Sequence, residues 1–254
     1  MARPGLLALS MLALLVVPAL AEPRTSAREL LPPELQAQQA DDGANPGMLW
    51  VQRGEKLWSQ SEGSGGKSCI GCHGDAAISM RGAATRYPAI DAKSGDLFNI
   101  EARINNCRSV HMSAAPLQYE SDDLLGLTAY IGFQSRGLTF SPKIDGTAAP
   151  HYDAGKRFFF ERQGQLNVAC NQCHDENVGK HLRGDKISSG LSVGYPVYRL
   201  DWQKTGSLHR RLRSCALGVR AEQLPSGSSE YVDLELYLAA RNGSAPIETP
   251  GVRK

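Results

Sequence analysis

No methionine follows Met112 in this 254-residue chain, so a thioether side chain is excluded from any site built in the second half. After residue 21 no apolar run approaches the roughly 20 residues that a bilayer span requires, which excludes a later membrane span. An excess of one charge is missing too. The 28 Lys and Arg face 26 Asp and Glu, and whole-molecule charge gives no case for nucleic acid.

What is present begins with the build of a secretory signal: Arg3, an apolar run from Leu6 to Leu20, and small residues at Ala19 and Ala21. Ser10 and Pro18 interrupt the run and argue against a retained anchor. Cleavage is expected before Glu22.

Six cysteines in an exported chain ordinarily suggest disulfides. Four of them, however, fall in Cys69-Ile70-Gly71-Cys72-His73 and Cys170-Asn171-Gln172-Cys173-His174. In Cys-x-x-Cys-His, two thioethers fix a haem covalently and the adjacent His ligates the iron. A single such box could be a zinc or redox pair; two in an exported chain predict two haem c groups, attached through Cys69, Cys72, Cys170 and Cys173. His73 and His174 are then the proximal ligands.

The boxes belong to an internal repeat. Gly54-Glu55-Lys56-Leu57-Trp58 corresponds to Gly155-Lys156-Arg157-Phe158-Phe159 at an offset of 101, and the boxes keep that offset. Beyond them it becomes 108, pairing Tyr87-Pro88 with Tyr195-Pro196, Arg103 with Arg211, and Cys107 with Cys215. Each half closes with a capped helix pattern, Ser121-Asp122-Asp123 leading into Leu124, Leu127, Tyr130 and Ile131, and Ser228-Ser229-Glu230 leading into Leu234, Tyr237 and Leu238. The pattern predicts a mainly α chain of two tandem class c cytochrome domains related by duplication. The expected divisions are a signal peptide at 1–21, an extension with one short helix at 22–47 that packs on a partner, domain 1 at 48–140 and a catalytic domain 2 at 141–254, with the linker at 135–151.

The distal ligands decide the chemistry, because axial ligation sets the potential and the reactivity of a haem. For the second haem the candidates are His181, His209 and Cys215, and the repeat favours Cys215. For the first, Met112 and His111 remain open, while equivalence with Cys215 points to Cys107. The bland alternative is a disulfide between Cys107 and Cys215.

Charge separates the two cysteines. Arg199, Lys204, Arg210, Arg211, Arg213 and Arg220 surround Cys215 against Asp201, whereas Lys93, Arg103 and Arg108 around Cys107 are offset by Asp91, Asp96 and Glu101. If residues 204–215 are helical, Arg211 stands one turn before Cys215 and on the same face. A cation there lowers the thiol pKa and can hold an oxyanion in a fork.

With two haem boxes, a further cysteine in each half, no late methionine and Arg211-x-x-x-Cys215, residues 48–245 resemble the SoxA family of dihaem cytochromes in thiosulfate oxidation. The resemblance implies catalytic roles for Cys215 and Arg211, with Cys215 a haem ligand that often carries an extra sulfur, and Cys107 as ligand to the first haem. It implies a periplasmic L-cysteine S-thiosulfotransferase that joins thiosulfate to a cysteine of a SoxY-like carrier. Two electrons would pass through haem to a monohaem SoxX-like subunit in a heterodimer, then to a small cytochrome c. The competing readings are a thiosulfate dehydrogenase making tetrathionate and a dihaem electron carrier without catalysis.

Overall fold

The computed structural model describes residues 24–182 and 184–254, so the predicted signal segment lies outside the described residues. The chain is mainly helical and the repeat is visible in it. After a 3₁₀ turn at Ala27–Leu30 come α1 (Pro33–Ala40), α2 (Met48–Ser59), α3 (Cys69–His73) and α4 (Ala76–Ser79). The small hairpin β1 (Ala89–Ile90) and β2 (Leu97–Phe98) precedes α5 (Ile100–Asn106), one π turn at Cys107–Met112, and α6 (Asp122–Phe133). The second half repeats this with α7 (Ala149–Phe160), α8 (Cys170–His174), the hairpin β3 (His181–Leu182) and β4 (Asp185–Lys186), and then β5 (Val197–Arg199) and β6 (Lys204–Gly206). It ends with α9 (Leu208–Gly218), α10 (Ser229–Arg241) and β7 (Gly251–Arg253).

The closing helices start where the sequence places caps. Ser121 accepts from the Leu124 N–H at the head of α6, and Ser228 accepts from the Tyr231 N–H at the head of α10. Their apolar faces then pack against the helix before each box. Trp58, Ile104, Leu124, Leu127 and Ile131 form one core, and Phe159, Leu208, Leu234, Tyr237 and Leu238 form the other. Glycine brings the crossing backbones together: a Cβ on Gly54 would lie 2.1 Å from the Gly126 carbonyl oxygen, and one on Gly155 would lie 2.0 Å from that of Asp233. The helix pairs α2/α6 and α7/α10 are therefore one packing solution used twice.

The extension, the start of α9 and the linker are placed by contacts with distant parts of the chain. The extension packs on its own chain: Gln39 in α1 accepts from the Val252 N–H at 2.9 Å and donates to Glu248 Oε2 at 3.2 Å, and Asn45 Nδ2 donates to the Pro250 carbonyl at 2.9 Å. Those contacts secure β7, which lies parallel to β5 while β6 runs antiparallel on its other side. Residues 204–206 are strand, because they pair with β5; the helix begins only at Leu208, after the Ser207 cap. The linker is held at its start, where Ser135 is buried and its hydroxyl accepts from the Ala84 N–H, while the Gly137 N–H reaches the Ile247 carbonyl.

The halves meet through polar and aromatic contacts. Trp50 and Tyr198 have ring centroids 6.0 Å apart, Lys204 Nζ lies 3.0 Å from Asp122, and Asn99 Nδ2 donates to Glu235 Oε2 at 3.1 Å.

Candidate functional site

Each box is a single helical turn held by local capping. Ser68 accepts from the Gly71 N–H ahead of Cys69, and Trp58 Nε1 donates to the Gly74 carbonyl at 3.0 Å, with its ring 5.7 Å from His73. In the second box Gln172 accepts from the Ala169 N–H at 2.9 Å, doing from inside the turn what Ser68 does from outside it.

The His174 ring is fixed in direction. Its Nδ1–H donates to the Ser188 carbonyl at 2.7 Å, which leaves Nε2 as the nitrogen available to a metal. Burial holds its pKa below the usual range. The chain can lie against the ring because residue 190 is glycine, at φ +67, where a Cβ would sit 2.8 Å from His174 Cγ. Ser188 carries no side-chain signal for this role.

The six cysteines sort into two groups. Cys107 lies within interaction range of Cys69 and Cys72, and Cys215 of Cys170 and Cys173. Burial and then the neighbouring Cys215 sulfur push the Cys170 thiol up to about 12. All six are unpaired, so no disulfide joins Cys107 to Cys215. Among the described residues no three His, Cys, Asp or Glu converge to hold a bare metal ion. Two sulfurs, an imidazole with a free Nε2 and a third sulfur from later in the chain are a donor set that fits a covalently attached haem.

The other ligand candidates sit in varied surroundings. His209 is 1% exposed; its Nδ1 accepts from the Gly227 N–H at 2.9 Å, its Nε2 is 3.1 Å from Glu235, and its ring stacks on Tyr119. His181 sits on the exposed β3/β4 hairpin. In the first half Met112 is buried and His111 is exposed.

The electrostatics of the two halves are opposite at equivalent positions. Arg103 pairs with Asp91 at 2.7 Å and donates Nε–H to the Tyr87 hydroxyl at 3.2 Å, and Arg108 pairs with Glu62 at 2.5 Å. Glu101 is not among the neutralising acids: it is buried toward Glu235 and His209, and burial followed by the Glu235 charge raises its pKa to about 8. Adding the offset of 108 to Asp91 gives Arg199, so the acid that neutralises Arg103 is replaced by a second base beside Arg211. Burial and then the Arg211 charge lower the Arg199 pKa, whereas the Cys215 sulfur raises that of Arg211. Among the described residues neither guanidinium has a carboxylate partner within 4.0 Å. Arg211 and Cys215 both lie in α9, one turn apart, with the half-buried Tyr195 near them. The sequence displayed Arg199 only as one of several surrounding bases; the fold brings it to Arg211.

Known proteins resemble this chain in sequence and fold. Residues 53–140 match the family described as SoxA/TsdA, cytochrome c domain, which implies covalent haem c. The L-cysteine S-thiosulfotransferase subunit SoxA of Pseudaminobacter salicylatoxidans is 40% identical, with 87% of this chain and 78% of that one covered. The same subunit from Paracoccus pantotrophus is 36% identical over 84% of this chain and 73% of that one. Among solved structures, a chain of SoxXA from P. pantotrophus superposes with a TM-score of 0.87 at 34% identity, covering 90% of this chain and 86% of that chain. Sequence identity of this order over most of both chains, on the same mainly α cytochrome c fold, places the protein: the chain belongs to the SoxA family.

Proposed function

We propose that this chain is an exported, haem-dependent L-cysteine S-thiosulfotransferase, built as two domains at 48–140 and 141–254, with the reaction at Cys215. The observation that carries the reading is a pair of neighbouring guanidiniums without carboxylate partners, Arg199 and Arg211, the second of them beside a cysteine that also lies near the second haem box. Such a pair favours a dianion, and thiosulfate is the dianion the curated relatives' name specifies. Two haem c groups would be held by Cys69, Cys72, His73 and Cys107 and by Cys170, Cys173, His174 and Cys215. Bound haem c would accept, one at a time, the two electrons that joining two sulfurs releases.

The chain's own residues do the rest. Arg211 and Arg199 hold the sulfonate oxygens and orient the terminal sulfur of thiosulfate toward Cys215 Sγ. An S–S bond forms between the Cys215 thiolate and that sulfur, with loss of two electrons, giving Cys215–S–S–SO₃⁻. A carrier cysteine thiolate then attacks the transferred sulfur, and the Cys215 thiolate leaves. The product is the carrier S-thiosulfonate and the starting enzyme. A SoxX-like monohaem subunit, SoxY-like carrier and small cytochrome c are the implied partners; the solved SoxXA relative supports the first. Residues 1–21 would direct the chain to the periplasm, and no helix among the described residues is long and apolar enough to cross a membrane.

The test is carrier modification by mass spectrometry with holoprotein, thiosulfate and an electron acceptor. Cys215→Ser should abolish the thiosulfonate adduct while two haem-bearing peptides persist. Adduct formation by the variant would return the chain to electron carriage, and tetrathionate without carrier would assign it to the dehydrogenase class.

A further inference from the structure

The second box carries a support that the first lacks. Arg241, the last residue of α10, is 6% exposed and lies with its guanidinium 4.8 Å from the centre of the Phe159 ring. It donates from Nη1 to the Ser189 carbonyl and from Nη2 to both the Asp175 carboxylate and, at 3.2 Å, the His174 carbonyl. One planar group thus ties the backbone of His174 to the segment whose Ser188 carbonyl receives the His174 Nδ1–H. Both ends of that hydrogen bond are anchored to the same guanidinium.

The repeat offers an internal comparison. The helix caps Ser121 and Ser228 and the tyrosines Tyr130 and Tyr237 share an offset of 107, which sets Gln134 opposite Arg241. Gln134 turns back on its own helix, donating to the Tyr130 carbonyl at 3.1 Å, and among the described residues no hydrogen bond reaches the His73 ring. Only the half with the basic, cysteine-bearing site has its histidine clamped.

We propose that Arg241 is a positioning residue that holds the Ser188 carbonyl on His174 Nδ1–H and thereby lowers the reduction potential of the second haem alone. This rests on His174 being the proximal ligand. A firm acceptor on Nδ1–H gives the imidazole more anionic character, making it a stronger donor that favours the oxidised ion. The buried charge of Arg241 acts the other way, favouring the reduced form. The two effects separate on substitution: Arg241→Lys keeps the charge and loses the fork, while Arg241→Gln loses both.

The experiment is a spectropotentiometric titration of the intact holoprotein, with low-spin electron paramagnetic resonance signals resolved for each haem. Arg241→Lys should raise the second potential and leave the first unchanged; Arg241→Gln should give a smaller rise. An unchanged or lowered second potential in both variants, or equal shifts of both haems, overturns the proposal. Should neither variant retain the second haem, the wild-type protein still decides, through solvent exchange of the two hyperfine-shifted Nδ1 protons: exchange at His174 should be at least about tenfold slower than at His73, and equal rates overturn the clamp. His174→Ala should remove the second low-spin signal; if both signals survive, the ligand assignment itself fails, whatever Arg241 does.

Discussion

Removal of Arg211 tests the chemistry where it is most exposed to disproof. Arg211 is half-buried in the middle of α9, its charge is opposed by Arg199 and not matched by a carboxylate, and Cys215 follows one turn later. With no ion pair lost, Arg211→Ala in a helix should leave folding and haem content intact. The loss is therefore confined to the anion. A hydrogen bond to a charged group contributes about 1.5–3 kcal/mol. At 1.36 kcal/mol per factor of ten, kcat/KM for thiosulfate should fall about 10- to 150-fold. Arg211→Lys keeps a charge without the fork and should recover about half of that loss on a logarithmic scale. Because Arg199 serves the same anion, removing both should cost less than the product of the single effects. The assay is steady-state transfer to the carrier thiol with haem content fixed by absorbance. Arg211→Ala turnover within twofold of wild type would remove the guanidinium from the mechanism.

Three further outcomes follow from the geometry. His209→Gln should leave the spectrum of the second haem unchanged, because His209 is already engaged by Gly227 and Glu235; a changed axial signature would reinstate it as a ligand. Gly155→Ala places a Cβ 2.0 Å from a backbone oxygen that cannot yield, and should cost about 3 kcal/mol in urea unfolding, at the upper end of overpacking; a change under about 0.5 kcal/mol would refute the close helix crossing. Asp91 is held at about 2 by the Ser94 N–H and then by Arg103, against an ordinary value of 3.8. Its contribution is present above the unfolded value and is lost as the pH falls toward about 2. Asp91→Asn should flatten stability in that acid window relative to wild type, as read from denaturant midpoints.

Much of this protein is written in residue order. Two Cys-x-x-Cys-His boxes, the capped helices at Ser121 and Ser228, and the paired offsets specify covalent attachment, helix starts and duplication, because each depends on neighbours within a few positions. Cys215 and Arg211 belong to this class: a spacing of four on a helix suffices to align them. The start of α9 did not, since residues 204–206 are claimed by β5, a partner distant in sequence from β7 on its other edge.

What only the tertiary structure decided concerns which charged group meets which. Glu101 lies near Cys107 in sequence yet is buried toward Glu235 and His209, Glu62 takes its place beside Arg108, and Arg199 stands where the other half has Asp91. His209 is engaged by Gly227, Glu235 and Tyr119, contacts that residue order does not announce. Ser188 and Arg241 leave no motif, because a backbone carbonyl has no residue identity and a buried arginine reads as an ordinary helix-terminal base. Local spacing therefore determined the cofactor chemistry and the cysteine; the long-range packing of α9, α10 and β5 decided the charge that surrounds it, since electrostatic partners are chosen by distance in space and not along the chain.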